Sequence, residues 1–188
     1  MLCGLLHDVG KSLIPTEILN KNGPLTANEY NLIKQHTTYG YELLEAIDEL
    51  DEEIRLVALQ HHERVDGSGY PSKVQANKTV IYSRMVAVAD VFDAMTSDRI
   101  YKKRVPPFDV FRMFLAEGIG LFDTTILHKF INNIAPFYTG MWVELNNGQV
   151  AQIAYIPPHN IINPIIYLDN EYIDLREKDE LQIATMLP

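Results

Sequence analysis

The sequence predicts a mainly α-helical protein that ends in a small segment of β-strands. Up to about residue 136, apolar residues recur at the spacing of one face of a helix. Beyond Pro136 the pattern changes to short runs rich in β-branched and aromatic residues, separated by prolines and by the turn Asn146-Asn147-Gly148. We therefore predict a helical domain at residues 1–136 and a small β appendage at residues 137–188.

Composition and charge restrict the class of protein. The 188 residues are 47% hydrophobic and 22% charged, which is typical of a soluble globular chain. A net charge of −9 argues against a surface that follows DNA phosphates, although it leaves room for a small anionic ligand. The single cysteine, Cys3, cannot form an internal disulfide, which favours a cytoplasmic location. No apolar run reaches about 18 residues, so no membrane span is predicted.

The first residues form a short helix-like segment that leads directly into reactive side chains. Residues 1–6 are apolar and carry no N-cap residue, and His7, Asp8 and Lys11 follow. A functional site so close to Met1 has no upstream chain to form its walls. We therefore expect the sequence to be a fragment, or an unusual start, of a longer protein.

Two helices are predicted next in the chain. Thr26 and Glu29 have the spacing of a capping box, and the helix that they open runs to about Ile47 with His36 on its inward face. The acidic segment 48–53 caps a second helix, which ends in two adjacent residues that continue its inward-facing stripe, His61 and His62. A loop follows, in which glycines permit positive φ and a proline fixes the exit.

Residues 79–97 are predicted to form a buried helix, because its centre is apolar on all sides except at Asp90. An unpaired buried carboxylate is costly, so we expect Asp90 to meet a cation. Asp93 lies one turn later, and Arg99 and Lys102 follow in a local basic cluster. Further helices are predicted at 106–117 and 122–134, and strands at 141–145, 149–156, 161–168 and 172–175.

Side chains that bind metals are predicted to point inward from four helical segments. Each of them alone is more often a core or ion-paired residue, but their recurrence on successive helices favours a site. Imidazole and carboxylate without thiolate suit Fe, Mn, Zn or Ni, and six ligands exceed the needs of one tetrahedral ion. Two metals would bind a phosphodiester and lower the pKa of a bound water. The residues concerned are His7, Asp8, His36, His61, His62, Asp90 and Asp93.

These residues carry a resemblance to a known family. The segment 7–11 (HDVGK), His36, the pattern HHExxDGxGYP at 61–71 and the segment 88–104 together resemble the HD-GYP domain, over nearly all of residues 1–135. The resemblance implies an HD-type helical bundle that hydrolyses cyclic di-GMP to the linear dinucleotide pGpG and on to GMP. It also implies two or three divalent metal ions, iron or manganese.

The resemblance assigns roles residue by residue. It implies metal ligands, with Asp8 bridging two ions, at His7, Asp8, His36, His61, His62 and Asp90. It implies catalytic roles for Asp8 and Lys11, and phosphate-side or nucleophile-orienting roles for Lys11, Asp93, Arg99 and Lys102. The signature loop, which is linked to the nucleotide and to GGDEF-type cyclase partners, matches at Asp66, Gly67, Gly69, Tyr70 and Pro71.

Two departures from the family pattern leave alternatives open. The family has helices upstream of the HD motif that add a His or Glu ligand, whereas only seven residues precede Asp8. We therefore expect an N-terminally truncated domain, with a sensor or receiver domain upstream in the full protein. The family also tends to have an aromatic residue where Val65 stands. The alternatives are a non-catalytic module that binds a cyclic dinucleotide or a GGDEF partner, and an HD phosphohydrolase for a mononucleotide or another cyclic dinucleotide.

Overall fold

The computed structural model describes residues 1–97, 104–178 and 180–187. Within these residues the chain is mainly helical and ends in an antiparallel sheet, as the sequence predicts. No helix in these ranges combines the length and the apolar character needed to cross a membrane. The helices are α1 (Leu2–Leu6), α2 (Thr16–Leu19), α3 (Ala27–Lys34), α4 (His36–Glu45), α5 (Glu52–Gln60), α6 (Ile81–Thr96), α7 (Pro107–Ala116) and α8 (Thr124–Ile134). Short 3₁₀ turns occur at Val9–Leu13, Ala76–Lys78 and Ala135–Tyr138.

The helix predicted from Thr26 to Ile47 is broken into α3 and α4. Its capping box is present, but the helical ladder is interrupted at Gln35, between the two helices. The His36 ring donates from Nδ1 to the Ile33 carbonyl at 2.6 Å, and the Thr37 hydroxyl donates to the Lys34 carbonyl at 3.0 Å. These side chains occupy carbonyls that an unbroken helix would use for its own amides. The break thus anchors the His36 ring beside the end of α3.

Helix α6 follows its predicted bounds but is not buried on all sides. Ser83 and Phe92 lie on a buried face. Met85 and Ala89, in the apolar centre on which the prediction rested, are exposed on the other side, so the prediction that this centre is buried all round was wrong. The apolar composition could not show which of its faces would be covered.

The five strands form one antiparallel sheet in the order β4-β3-β2-β1-β5. The predicted turn at residues 146–148 joins β1 to β2, and Gly148 there has the positive φ of +83° that favours glycine. The last strand, which pairs with β1, was not predicted. The strands are β1 (Trp142–Leu145), β2 (Val150–Tyr155), β3 (Ile165–Leu168), β4 (Glu171–Asp174) and β5 (Ile183–Met186).

One cluster of buried side chains extends from the later helices into the sheet. It contains Phe111 and Phe114 of α7 together with Val143, Ile153 and Ile166 of the strands, all of them fully buried. The sheet is therefore packed through its buried face into the same core as α6, α7 and α8. The boundary between residues 136 and 137 as a division of folding units stays a prediction.

The shared core leads us to expect that sheet and helices unfold together. Phe111→Ala removes a buried ring that stacks on Phe92 with centroids 5.6 Å apart, and should lower the free energy of unfolding by about 3–5 kcal/mol. Trp142, the only tryptophan, reports on β1, so its fluorescence and the helical circular dichroism should follow the same urea transition. The exposed Phe137→Ala is the control. Two separate transitions would contradict the shared core.

Candidate metal centre

Asp8 occupies the centre of a cluster of polar side chains. Its Oδ1 lies 3.3 Å from His36 Nε2 and 3.6 Å from His61 Nε2. Its Oδ2 lies 3.2 Å from His7 Nε2 and accepts a hydrogen bond from Lys11 Nζ at 2.5 Å. Burial raises the pKa of Asp8, but the neighbouring His61, His7 and Lys11 outweigh burial and hold that pKa well below its ordinary value. The carboxylate is therefore ionised.

The rings of His36 and His61 turn acceptor atoms toward each other. Each ring donates from Nδ1 to carbonyls of its own helical segment, so the neutral ring has a lone pair at Nε2. Burial lowers the pKa of His36 to about 4, which keeps that ring neutral at pH 7. The two Nε2 atoms are 3.2 Å apart, and the buried Oδ1 of Asp8 beside them has no hydrogen-bond partner. With both Nδ1 atoms already bonded to carbonyls, these three atoms can be satisfied together only by a shared proton or by a metal cation.

A second group lies on the other side of Asp8. His7 Nε2 is 3.8 Å from Asp90 Oδ1 as well as close to Asp8, and the attraction of these two carboxylates raises the pKa of His7 to about 10. Without a metal ion, His7 is thus protonated and fills the role of the cation itself. A bound metal would have to displace that proton.

The structure brings all six predicted metal ligands together. They form two groups that share Asp8. Within each group, every residue offers one ligand atom, and these atoms all lie within 4.8 Å of one another. Nitrogen and oxygen donors and the unpartnered Asp8 oxygen fit divalent cations. The groups are Asp8 with His36, His61 and His62, and Asp8 with His7 and Asp90.

Two glycines set the distance between the segments that carry Asp8 and His36. A Cβ atom on Gly10 would lie 2.0 Å from the His36 carbonyl oxygen and 2.4 Å from the Gly40 nitrogen. A Cβ atom on Gly40 would lie 3.3 Å from Ala58 Cβ in α5. Without side chains at Gly10 and Gly40, the 3₁₀ turn after Asp8 packs closely on α4, and α4 on α5, so that their polar side chains meet.

The predicted signature loop folds back over His62. The Tyr70 ring stacks on the His62 ring with centroids 4.6 Å apart, and the Tyr70–Pro71 peptide bond is cis. Asp66 accepts a hydrogen bond from the Ser68 amide at 2.9 Å. A Cβ atom on Gly69 would lie 2.4 Å from the His62 carbonyl oxygen, so only glycine permits this close return of the chain.

Glu63 holds this loop, and the sequence predictions did not include it among the site residues. Its side chain is buried and accepts hydrogen bonds from the backbone amides of Ser72, Lys73 and Val74, at 2.7, 3.0 and 3.2 Å. The available signal in the sequence was its position: Glu63 directly follows the two histidines and directly precedes the loop. Glu63 thus positions the segment that places Tyr70 on His62.

Some predicted substrate residues are not part of the cluster. Asp93 is exposed on α6 and accepts a hydrogen bond from Ser97 at 3.0 Å, outside both ligand groups. Lys11 is close to the cluster, but its ammonium is paired with Asp8. Arg99 and Lys102 lie outside the described residues, so their roles stay predictions.

Comparison with protein families matches residues 1–126 to the family described as HD domain. The chain belongs to the HD domain family. This match confirms the HD domain part of the resemblance that the sequence motifs carry. HD domains are metal-dependent, which agrees with the two groups of side chains around Asp8.

Similar proteins include named phosphodiesterases. A cyclic di-GMP phosphodiesterase of Pseudomonas aeruginosa is 36% identical over 163 residues, which are 87% of this chain and 39% of that protein. A 3'3'-cGAMP-specific phosphodiesterase of Vibrio cholerae is 45% identical over 98 residues, 52% of this chain and 19% of that protein. An HDG"Y"P protein from Bdellovibrio bacteriovorus has a similar fold, with a TM-score of 0.54, 21% identity and coverage of 67% of this chain and 40% of its own. The chain thus spans well under half the length of these relatives.

The contacts of Glu63 lead to a testable expectation for the loop. Glu63→Gln removes the charge that attracts three amides and should lower the free energy of unfolding by about 1–3 kcal/mol. Hydrogen exchange at the amides of residues 72–74 should become faster than in the wild type. Glu53→Gln, an exposed change on α5, is the matched control. Unchanged exchange at these three amides would contradict the positioning role.

Proposed function

We propose that this chain is the catalytic domain of a metal-dependent phosphodiesterase that hydrolyses cyclic di-GMP to pGpG and on to GMP. The observation that carries the proposal is the cluster of acceptor atoms around the ionised Asp8, shared between two groups of potential ligands. The relatives named above support a cyclic dinucleotide as the substrate class. The helical part is proposed to be an HD-type bundle, as the structural similarity supports.

Two divalent ions are the proposed complement, one for each group of ligands. Donor sets of imidazole and carboxylate without thiolate suit iron or manganese. Such ions would polarise a phosphodiester and lower the pKa of a water molecule. The six residues that would hold them are His7, Asp8, His36, His61, His62 and Asp90.

The side chains around the ligands fix their orientation. Lys11 holds one oxygen of Asp8 and so leaves the other facing His36 and His61. The Nδ1–H bonds of these two histidines to helix carbonyls fix which nitrogen can bind a metal. Lys11 is thus proposed to act by positioning Asp8. Contacts of Arg99, Lys102 and Asp93 with substrate remain proposals from the resemblance.

The wider setting also remains a proposal. The resemblance favours GGDEF-domain proteins as partners through the loop at residues 66–71, and an upstream sensor or receiver domain. The single cysteine favours the cytoplasm, where a free thiol persists.

A mixed cyclic GMP–AMP dinucleotide is a second candidate substrate. The specific observation in its favour is the similarity to the Vibrio cholerae enzyme whose name states that specificity. A non-catalytic binding module is less well supported, because it would not need the two groups of potential metal ligands around Asp8.

Removal of Asp8 tests the proposed function. Asp8→Ala should lower hydrolysis of cyclic di-GMP by more than about 100-fold, because even groups that only orient metal ligands contribute about 10–100-fold. Hydrolysis of cyclic di-GMP and of 3'3'-cGAMP is measured side by side with manganese or iron, and products are separated by chromatography. Asp48→Ala, an exposed acidic residue before α5, is the control. Hydrolysis by Asp8→Ala at the wild-type rate would contradict the proposal. A wild-type chain that binds cyclic di-GMP but does not hydrolyse it would favour the binding module.

A further inference from the structure

Lys34 differs from the other described cations near the metal ligands. Lys11 is paired with Asp8 at 2.5 Å. Arg64 also has no ion-pair partner among the described residues, but it is only partly exposed, lies over the Phe122 ring and donates to the Glu63 carbonyl. Among the described residues, Lys34 has no carboxylate within ion-pair distance. Its charge is therefore available to a ligand.

Two tyrosine rings hold this ammonium beside the cluster. Lys34 is the last residue of α3, and its Nζ lies 4.4 Å from the centroid of the Tyr30 ring and 5.4 Å from that of Tyr70. Tyr70 in turn stacks on His62, a member of one ligand group. Cation–π attraction orients the ammonium without neutralising it. One ring thus separates a free positive charge from the metal ligands.

We propose that Lys34, with the rings of Tyr30 and Tyr70, binds the phosphodiester of a cyclic dinucleotide that is not being hydrolysed. The inference rests on the proposed function and extends it to a second subsite. A cyclic dinucleotide carries two phosphodiester anions, and only one of them can be at the reaction centre in each step. The other anion requires a cation of its own in a chain with a net charge of −9. An ammonium with three donors suits a phosphate, and the half-exposed Tyr30 ring suits an adjacent base.

A purely structural role for Lys34 predicts a different experimental result. Lys34 could serve only to fasten the Tyr70 loop to α3 through its contacts with both rings. Loss of that function would disturb the loop and hence the hydrolysis of every phosphodiester alike. A second-phosphate subsite instead affects only substrates that have a second phosphate.

The experiment compares two substrates in the metal-loaded chain. Lys34→Met keeps most of the aliphatic stem and removes the charge. It should raise KM for cyclic di-GMP about tenfold, the loss of one charge-assisted hydrogen bond, and leave kcat within about twofold. For bis(p-nitrophenyl) phosphate, which has one phosphodiester, kcat/KM should stay within about twofold. Lys34→Arg should restore KM for cyclic di-GMP, and Lys129→Met, an exposed change on α8, should alter neither substrate.

Each result decides for or against the subsite. Equal effects of Lys34→Met on both substrates, or an unchanged KM for cyclic di-GMP, would overturn it. A wild type that hydrolyses neither substrate contradicts the proposed function instead. In that case calorimetric titration with cyclic di-GMP tests Lys34 by itself: weaker binding by about tenfold in Lys34→Met supports the subsite, and equal or absent binding overturns it.

Discussion

The rest of the site depends on three acceptor atoms that are held face to face. Asp8 Oδ1 and the Nε2 atoms of His36 and His61 lie 3.2–3.6 Å apart, and both rings already donate from Nδ1 to helix carbonyls. This arrangement is unfavourable in isolation, and the fold maintains it by packing of backbone on backbone at Gly10 and Gly40. Such strain between acceptors is what a cation relieves. Binding of a metal ion at this cluster should therefore increase the stability of the folded chain.

The surrounding structure makes this cluster rigid from several directions. The break between α3 and α4 anchors the His36 ring, α5 supplies carbonyls that fix His61, and the loop that Glu63 holds places Tyr70 over His62. The buried core shared by α6, α7, α8 and the sheet supports the helix that carries Asp90. The same loop brings Tyr70 next to Lys34. One segment thus connects the ligand group to the proposed second-phosphate subsite.

Much of the site could be predicted from the sequence, because it depends on periodicity. The spacing of apolar residues placed His36, His61 and His62 on inward faces, and the isolated carboxylate of Asp90 in an apolar helix indicated a cation. Periodicity could not show how side chains compete with the backbone, so the break at Gln35 was missed. Periodicity also could not show that Lys11 pairs with Asp8, or that the Glu63 carboxylate accepts hydrogen bonds from three backbone amides. These contacts arise only when distant segments meet.

The most direct test of the account is the stoichiometry of metal binding, measured by equilibrium dialysis with manganese followed by elemental analysis. Because Asp8 belongs to both ligand groups, the wild type should bind two ions per chain and Asp8→Ala should lose both. His7→Ala should lose only the ion of its own group and keep the one held with His36, His61 and His62. A wild type that binds no metal, or an Asp8→Ala variant that binds as the wild type does, would contradict the account.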